Sequence, residues 1–402
     1  MIFDRNISRR SFTIGSIAAA GAGMAAISLT SCSSDNRPST GEPQVVTDSS
    51  LMVNVLDGDY EYTDSTLASS EAWLLPLGTV LFHGGGCTWA AAMLTPESVS
   101  HINTLGVLSL ASGNLSTVKE EPTQGTTYTY FDVRCSDTVM AWIEINYIDR
   151  SWVLFGQGLS NGTLTGSPVK LDEGDADWEP PRITAWQDSI IWQKMPLSTG
   201  SKSGESSHCY IWTLGSDEGV DIWESHGRFA TTPRVSENLL TITPRVHEDE
   251  GVYYGLTALD LTTEGFDQVD QLVMPSRVSP LDAEYLNGTF AFSVEASYDG
   301  AGNLGNMGSY FGVAGGPFTY VRREPLSQIT GNGSTYLVKS QSSHLIIDTE
   351  AQTYGALYSP DRSIQYGDFP ATEGLSSQVL TFATVRSASG VPEGVQARVF
   401  QL

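Results

Sequence analysis

One apolar strand core recurs along this chain with a period of 50 residues. Trp142 lies in TVMAWIE, Trp192 in SIIWQ, Ile242 in NLLTI and Phe292 in TFAFSVE, so three successive intervals are 50 residues each. Looser copies stand around Phe82 (VLFH), Ile346 (HLIID) and Phe382 (VLTFATV), which brings the count to seven units. A period of this size marks a repeated supersecondary unit whose apolar face is buried only by its neighbours. Helical periodicity is nearly absent, and only Trp89 to Val99 has a spacing compatible with a helix.

Each well-marked unit parses into four strands. The third reads PRITAWQD, SIIWQKM, HCYIWTL and GVDIWES; the fourth reads TTPRVSE, NLLTITP, GVYYGLTAL and DQVDQLVM. Four antiparallel strands recurring every 40 to 50 residues or so are the signature of propeller blades packed around a channel. The expectation is an all-β chain with a single β-propeller of four-stranded antiparallel blades, seven favoured and six possible. The last unit is short, ending at Leu402 only 20 residues past Phe382. Leu51 to Tyr62 (LMVNVLDGDYEY) is the expected source of its missing outer strand or strands, which would close the ring without a covalent bond. The tryptophans at 142, 186, 192, 212 and 223 sit in strands, where packing between blades accounts for them.

The inner-strand openings PRIT and PRVS, the turn and the apolar second strand resemble the broad TolB-like and tryptophan-aspartate-like propellers from Trp73 to Leu402. The likeness is architectural. The Trp-Asp dipeptide is not found at the repeat positions, and WQDS, SENL and YLNG stand where TolB-type blades carry Ser-Pro-Asp-Gly. Such folds host unrelated functions, so the resemblance implies a shape and no particular chemistry.

An address precedes the repeats. Ser8-Arg9-Arg10-Ser11-Phe12 is followed by an uncharged apolar run from Ile14 to Leu29, too short and too rich in Gly and Ala for a good membrane span. The paired arginines resemble the twin-arginine export motif, although Thr13 stands where that family has a second apolar residue. Leu29-Thr30-Ser31-Cys32 resembles a bacterial lipobox. Together these resemblances imply export of a folded protein, cleavage before Cys32 and acylation of Cys32. The body would then be extracytoplasmic and anchored to the bacterial cell membrane by its lipid. Ser33 to Ser50 is rich in Ser, Pro and Gly and reads as a disordered tether. The expected organisation is a signal peptide over 1–31, a tether over 32–50 and a propeller over 51–402.

Charge excludes two classes. With 46 Asp and Glu against 21 Lys and Arg the formal charge is -25, which leaves no basic stripe for nucleic acid. A hydrophobic content of 40% is too high for a disordered acidic chain. Cys87, Cys135 and Cys209 are odd in number, so the alternatives are one closed pair with a thiol left over or three buried free thiols, the second being favoured, and without a CxxC no metal site is expected.

Three motif matches lack their structural context. Gly158 to Gly162 fits G-x-S-x-G and His83 to Gly86 fits HGGG, but the TLTGSPVKLDEG that follows Gly162 cannot be the helix a nucleophile elbow requires. Gly300 to Gly305 fits G-x-G-x-x-G, yet NMGSYFGVAGG continues as loop and strand where a dinucleotide site needs a helix. No cofactor motif therefore stands. Asp172, Asp175, Asp177 and Glu179 crowd one inter-blade loop without the spacing of a calcium loop, and read as solvated. The histidines at 83, 101, 208, 226, 247 and 344 are scattered.

One recurrence does carry chemistry. Arg134, Arg182, Arg234 and Arg277 each stand two residues before a Ser or Thr near the start of an expected inner strand, at intervals of 48, 52 and 43 residues. Inner strands line the channel, so the four would form a partial ring of guanidinium groups at one mouth. Such groups suit a carboxylate or phosphate. The alternative is that each ties its blade to an acid of the next, for example Glu179 or Glu284. The expected function is a surface-anchored lipoprotein whose propeller binds a ligand or protein partner, an anionic one being what the arginines suit. An extracytoplasmic hydrolase or lyase acting on polysaccharide or peptide is the second reading, with no catalytic residue assigned.

Overall fold

A computed structural model describes residues 40–402 apart from 66, 97, 99–100, 325–328, 342 and 362–366. The twin-arginine segment, Cys32 and the first part of the expected tether lie outside the described residues.

The 50-residue period becomes seven sheets built on four antiparallel strands, the blades of a propeller. Blades 1 to 6 span residues 80–119, 129–174, 182–225, 234–273, 282–322 and 330–358, and blade 7 spans 368–401. Trp142, Trp192, Ile242, Phe292 and Phe382 all occupy second strands, which explains their common spacing. Phe82 is on the first strand of blade 1 and Ile346 on the third of blade 6, which explains why those copies look loose.

Second strands are buried on both faces. Between blades 2 and 3, Trp152, Trp192 and Trp212 pack with Ile143, Ile183 and Ile190. Each indole N–H still finds an acceptor: Trp192 Nε1 donates to Asp172 Oδ2 at 2.9 Å, and Trp212 Nε1 to the Ser216 carbonyl at 2.9 Å. Such anchors cost about 3–5 kcal/mol each on truncation to alanine. Trp186 and Trp223 are only half-buried. Trp89–Leu94 is a strand, not the start of a helix. Ala90, Ala91 and Ala92 favour a helix by propensity, but each is fully buried between blades 7, 1 and 2, and that packing overrides the local preference.

The segment before blade 1 runs as a strap over the outer edges. The Gln44 N–H donates to the Val273 carbonyl at 2.9 Å, and Val46 is buried in the core shared by blades 4 and 5. Met52–Asn54 then pairs in parallel with Phe318–Arg322 of blade 5, and Glu61–Tyr62 with Thr353–Tyr358 of blade 6. Finally Ser69–Leu75 pairs antiparallel with Pro392–Gln401 and supplies the fourth strand of blade 7. Two expectations change. Closure comes from Ser69–Leu75, because the segment 51–62 is already engaged with blades 5 and 6. From Gly41 onward the supposed tether is held to the propeller by hydrogen bonds and burial. Paired edges of this kind also protect a sheet from edge-to-edge association.

Cys135 and Cys209 are buried and Cys87 is half-buried, and all three are free thiols.

Candidate functional site

The turns between first and second strands gather at one mouth of the channel. In blades 2 to 5 these are two-residue turns, Asp137-Thr138, Gln187-Asp188, Glu237-Asn238 and Asn287-Gly288. They fix a common register. Arg134 pairs with Ala141, Thr184 with Ile191, Arg234 with Thr241 and Glu284 with Ala291, so these four residues stand at equivalent positions, 50 residues apart. Thr330, opposite Leu337, is the counterpart in blade 6.

Blade 7 breaks the pattern. After its inner strand Asp368–Pro370 the chain makes no tight turn but enters the channel as the segment 371–377 before returning to Gln378–Arg386. Thr372–Glu373 pairs in parallel with the first strand of blade 1 at His83 and Gly84. The Leu375 N–H donates to Ser236 Oγ of blade 4 at 3.1 Å, and the Ser376 N–H to the Gly331 carbonyl of blade 6 at 2.8 Å. Two glycines permit this. A Cβ on Gly85 would lie 2.6 Å from the Leu375 carbonyl oxygen. Gly374 has φ +79°, and a Cβ there would lie 2.8 Å from the Val235 carbonyl oxygen. The HGGG tetrapeptide is thus a cradle for this plug.

The equivalent layer converges on the plug. Arg234 Nη1 pairs with Glu373 Oε1, and Arg134 Nε lies 3.6 Å from the same oxygen. Thr184 Oγ1 donates to Glu373 Oε2 at 3.3 Å, and Thr330 Oγ1 to the Gly374 carbonyl at 2.7 Å. Arg234 Nε also donates to Asp282 Oδ1 at 3.1 Å, and Arg134 Nη1 pairs with Asp132. Burial alone would lower the Arg234 pKa, but Asp282, Glu373 and Glu284 outweigh it and raise the value above the ordinary one. The Glu284 carboxylate is buried beside the plug at Gly374. Burial pushes its pKa well up, opposed by Arg234 and reinforced by Glu373 and Asp282.

The four sequence-selected arginines therefore part company. Arg134 and Arg234 lie in one channel layer. Arg182 sits two residues earlier in the register and donates from Nη1 to the Ala230 carbonyl at 3.0 Å. Arg277 is exposed in the connection between blades 4 and 5, with φ +67° and its N–H on the Val252 carbonyl at 2.8 Å. A single guanidinium ring does not form, because Arg-x-Ser/Thr recurs out of step with the 50-residue register. The tie to the next blade is present at Arg234, whose partner there is Asp282, while Glu179 pairs with Arg228.

Over the plug lies a cavity of about 470 Å³. Its floor is Glu373 and Thr184, and its walls are the Gly84–Cys87 turn, Asp137, Trp186, Asp188 and Glu237. Every charged side chain of this lining is acidic. Cys87 and His83 do not make a nucleophile and base. Burial, with Asp137 adding to it, pushes the Cys87 thiol up to about 12. Burial lowers the His83 pKa, and its ring nitrogens are engaged by Thr372 Oγ1 at 2.8 Å and the Cys87 carbonyl at 2.9 Å. Ser160 of the G-x-S-x-G match sits at the turn of a β-hairpin, with Asn161 and Gly162 both left-handed. The acids at 172–179 are engaged separately, Asp172 by Lys194 and Trp192 and Asp177 by Ser201. Among the described residues no cluster of three metal-ligating side chains forms.

No protein-family model matches this sequence, and no curated protein does. Solved structures do. A prolyl endopeptidase superposes with a TM-score of 0.53 at 11% identity, covering 81% of this chain and 47% of that one. The propeller domain of the Trilobed protease from Pyrococcus furiosus, described as having an open velcro topology, gives a TM-score of 0.50 at 12% identity, covering 80% and 95%. TolB from Acinetobacter baumannii gives 0.40 at 14% identity, covering 68% and 64%. This chain spans about half the length of the puromycin hydrolase and the prolyl endopeptidase that it matches. The likeness to the endopeptidase and to the Trilobed protease domain agrees with the propeller fold.

Proposed function

We propose that this protein is an extracytoplasmic, lipid-anchored propeller that binds a ligand or partner in the cavity above Glu373. The observation that supports this reading is a concave, preformed space at the channel mouth, closed below by a plug that the surrounding blades hold in place. The plug also bears on ligand class. Arg134 and Arg234, which favoured an anion in the sequence, are already matched by Asp132, Asp282 and Glu373. The cavity offers carboxylates and one indole face, which suit a neutral or cationic ligand such as an amine-bearing or hydroxyl-rich molecule. The anchor is supported by the Cys32 lipobox resemblance, with Gly41 marking where the chain meets the propeller.

A hydrolase or lyase at the same mouth is the competing reading. It would need a free acid or base facing the cavity. Glu373 is ion-paired and His83 is tied at both nitrogens, so an enzyme here would have to work through the wall acids Asp188 and Glu237. A thermal-shift screen of the purified chain with cationic, neutral and anionic saccharides and peptides tests the proposal. The expected result is stabilisation by neutral or cationic members that is lost in Trp186→Ala and in Asp137→Asn. Stabilisation unchanged by both substitutions would place the ligand elsewhere, and turnover of any screened compound would favour the enzyme.

A further inference from the structure

We propose that a second cavity, between the strap and blade 5, is a binding site for a small ligand bearing a carboxylate or phosphate group. It encloses about 400 Å³ and lies away from the channel mouth. Its wall carries Arg322 and Arg323, consecutive residues at the end of the outer strand Phe318–Arg322. Both are exposed. Arg323 has φ +62°, and its N–H donates to the Met307 carbonyl at 3.1 Å, which fixes the chain where the two guanidinium groups branch off.

These cations differ from those of the channel. Arg134 and Arg234, 13% and 11% exposed, face carboxylates, whereas Arg322 Nη1 is 3.6 Å from Asp57 Oδ2 with both side chains 51% exposed. That is a loose, screened pair. Two guanidinium groups and one carboxylate line the cavity, with the Asp59 carboxylate held beside it on the Asn54 N–H, on a chain whose formal charge is -25. A guanidinium fork matches the two oxygens of a carboxylate or phosphate. Side-chain amides of Asn54, Asn303 and Asn306 complete the polar wall and can serve a hydroxylated ligand body.

The wall is preformed. The hydroxyl of the buried Tyr310 lies 3.0 Å from the Asn303 carbonyl and 2.7 Å from the Asn306 carbonyl, and Tyr320 donates to the Met307 carbonyl at 2.8 Å. On the strap side the Asn54 N–H donates to Asp59 Oδ2 at 2.7 Å, and the Asn303 N–H meets the Val46 carbonyl at 2.7 Å. Walls held in place before binding reduce the ordering cost of binding. The G-x-G-x-x-G stretch, which fails as a dinucleotide motif, is part of the loop that builds this wall.

The experiment is calorimetric titration of the full chain with sodium glucuronate and with inorganic phosphate, against sodium chloride at matched ionic strength. Arg323→Gln should weaken binding about tenfold, the effect of losing one charge-assisted contact. It should leave the melting temperature within about 2 °C, as expected for an exposed substitution. Asp57→Asn should tighten binding about threefold or more, because it removes a competing carboxylate. Sedimentation with phosphatidylglycerol vesicles, abolished by Arg323→Gln and absent with phosphatidylcholine, would assign the phosphate to a lipid headgroup. If neither small anion nor anionic vesicle binds, or if Asp57→Asn weakens binding, the pair only ties the strap to blade 5 and the proposal fails.

Discussion

Arg234 and Glu373 are 139 residues apart in the chain, yet their side chains pair inside the channel. The arginine belongs to the inner strand of blade 4 and the glutamate to the plug that leaves blade 7. Their contact pins the plug to the far side of the ring.

Glu373→Ala should therefore destabilise the fold by about 3–5 kcal/mol, since it leaves Arg234 and Arg134 short of a partner in a buried layer. Urea denaturation measures this. Arg234→Met combined with Glu373→Leu should cost less than the two single changes added together, and an additive result would show that the pair is not coupled.

Gly374→Ala should cost more than Gly390→Ala. Both glycines are left-handed, at φ +79° and +81°, but only Gly374 has backbone atoms where a Cβ would go. The shared backbone cost is about 1 kcal/mol or slightly more. The excess at Gly374 measures how tightly the plug is seated, and equal melting temperatures would mean that it is loose.

Glu324 sets a pH dependence. Burial, opposed in part by Lys339, pushes its pKa from 4.5 to about 7. The folded state thus holds this proton more tightly than the unfolded chain does. The resulting stabilisation is complete below pH 4.5 and is lost as pH rises to about 7. Thermal unfolding of Glu324→Gln should show a flatter profile across that window than the parent, and parallel profiles would contradict the assignment.

Closure should depend on Ser69–Leu75 and not on 51–62. A chain beginning at Thr63 keeps the fourth strand of blade 7 and should unfold cooperatively at a moderately lower temperature. A chain beginning at Leu77 exposes the edge of Pro392–Gln401 and should aggregate or lose its near-ultraviolet dichroism.

The anchor is tested separately. Cys32→Ala should abolish metabolic labelling with a fatty-acid analogue and leave the protein unprocessed or released, and persistent labelling would refute the lipobox reading.

The seven-fold plan was legible because second strands are buried on both faces, and their apolar cores keep step at Trp142, Trp192, Ile242 and Phe292. The channel layer was legible by the same rule and was missed. Counting back eight residues from those cores reaches 134, 184, 234 and 284, whereas following Arg-x-Ser/Thr substituted Arg182 and Arg277 for Thr184 and Glu284. The plug left no such trace. Its residues 371–377 carry no repeat signal, and its partners are scattered over blades 1, 2, 3, 4 and 6. The closing strand was misassigned because LMVNVL is more apolar than SSEAWLL. An outer strand with one solvated face needs little apolar content, and four of the first five residues of Ser69–Leu75 are exposed.

The strap also sets how this molecule would answer a mechanical load. A pull on the chain ahead of Gly41 meets single hydrogen bonds at Gln271 and Val273, then three paired residues on blade 5, two on blade 6 and six on blade 7. The early links can peel in sequence, each releasing slack, before tension reaches the strand that completes the ring. Extension is thus dissipated at the periphery, and the blades keep their circular order until the last and longest pairing yields.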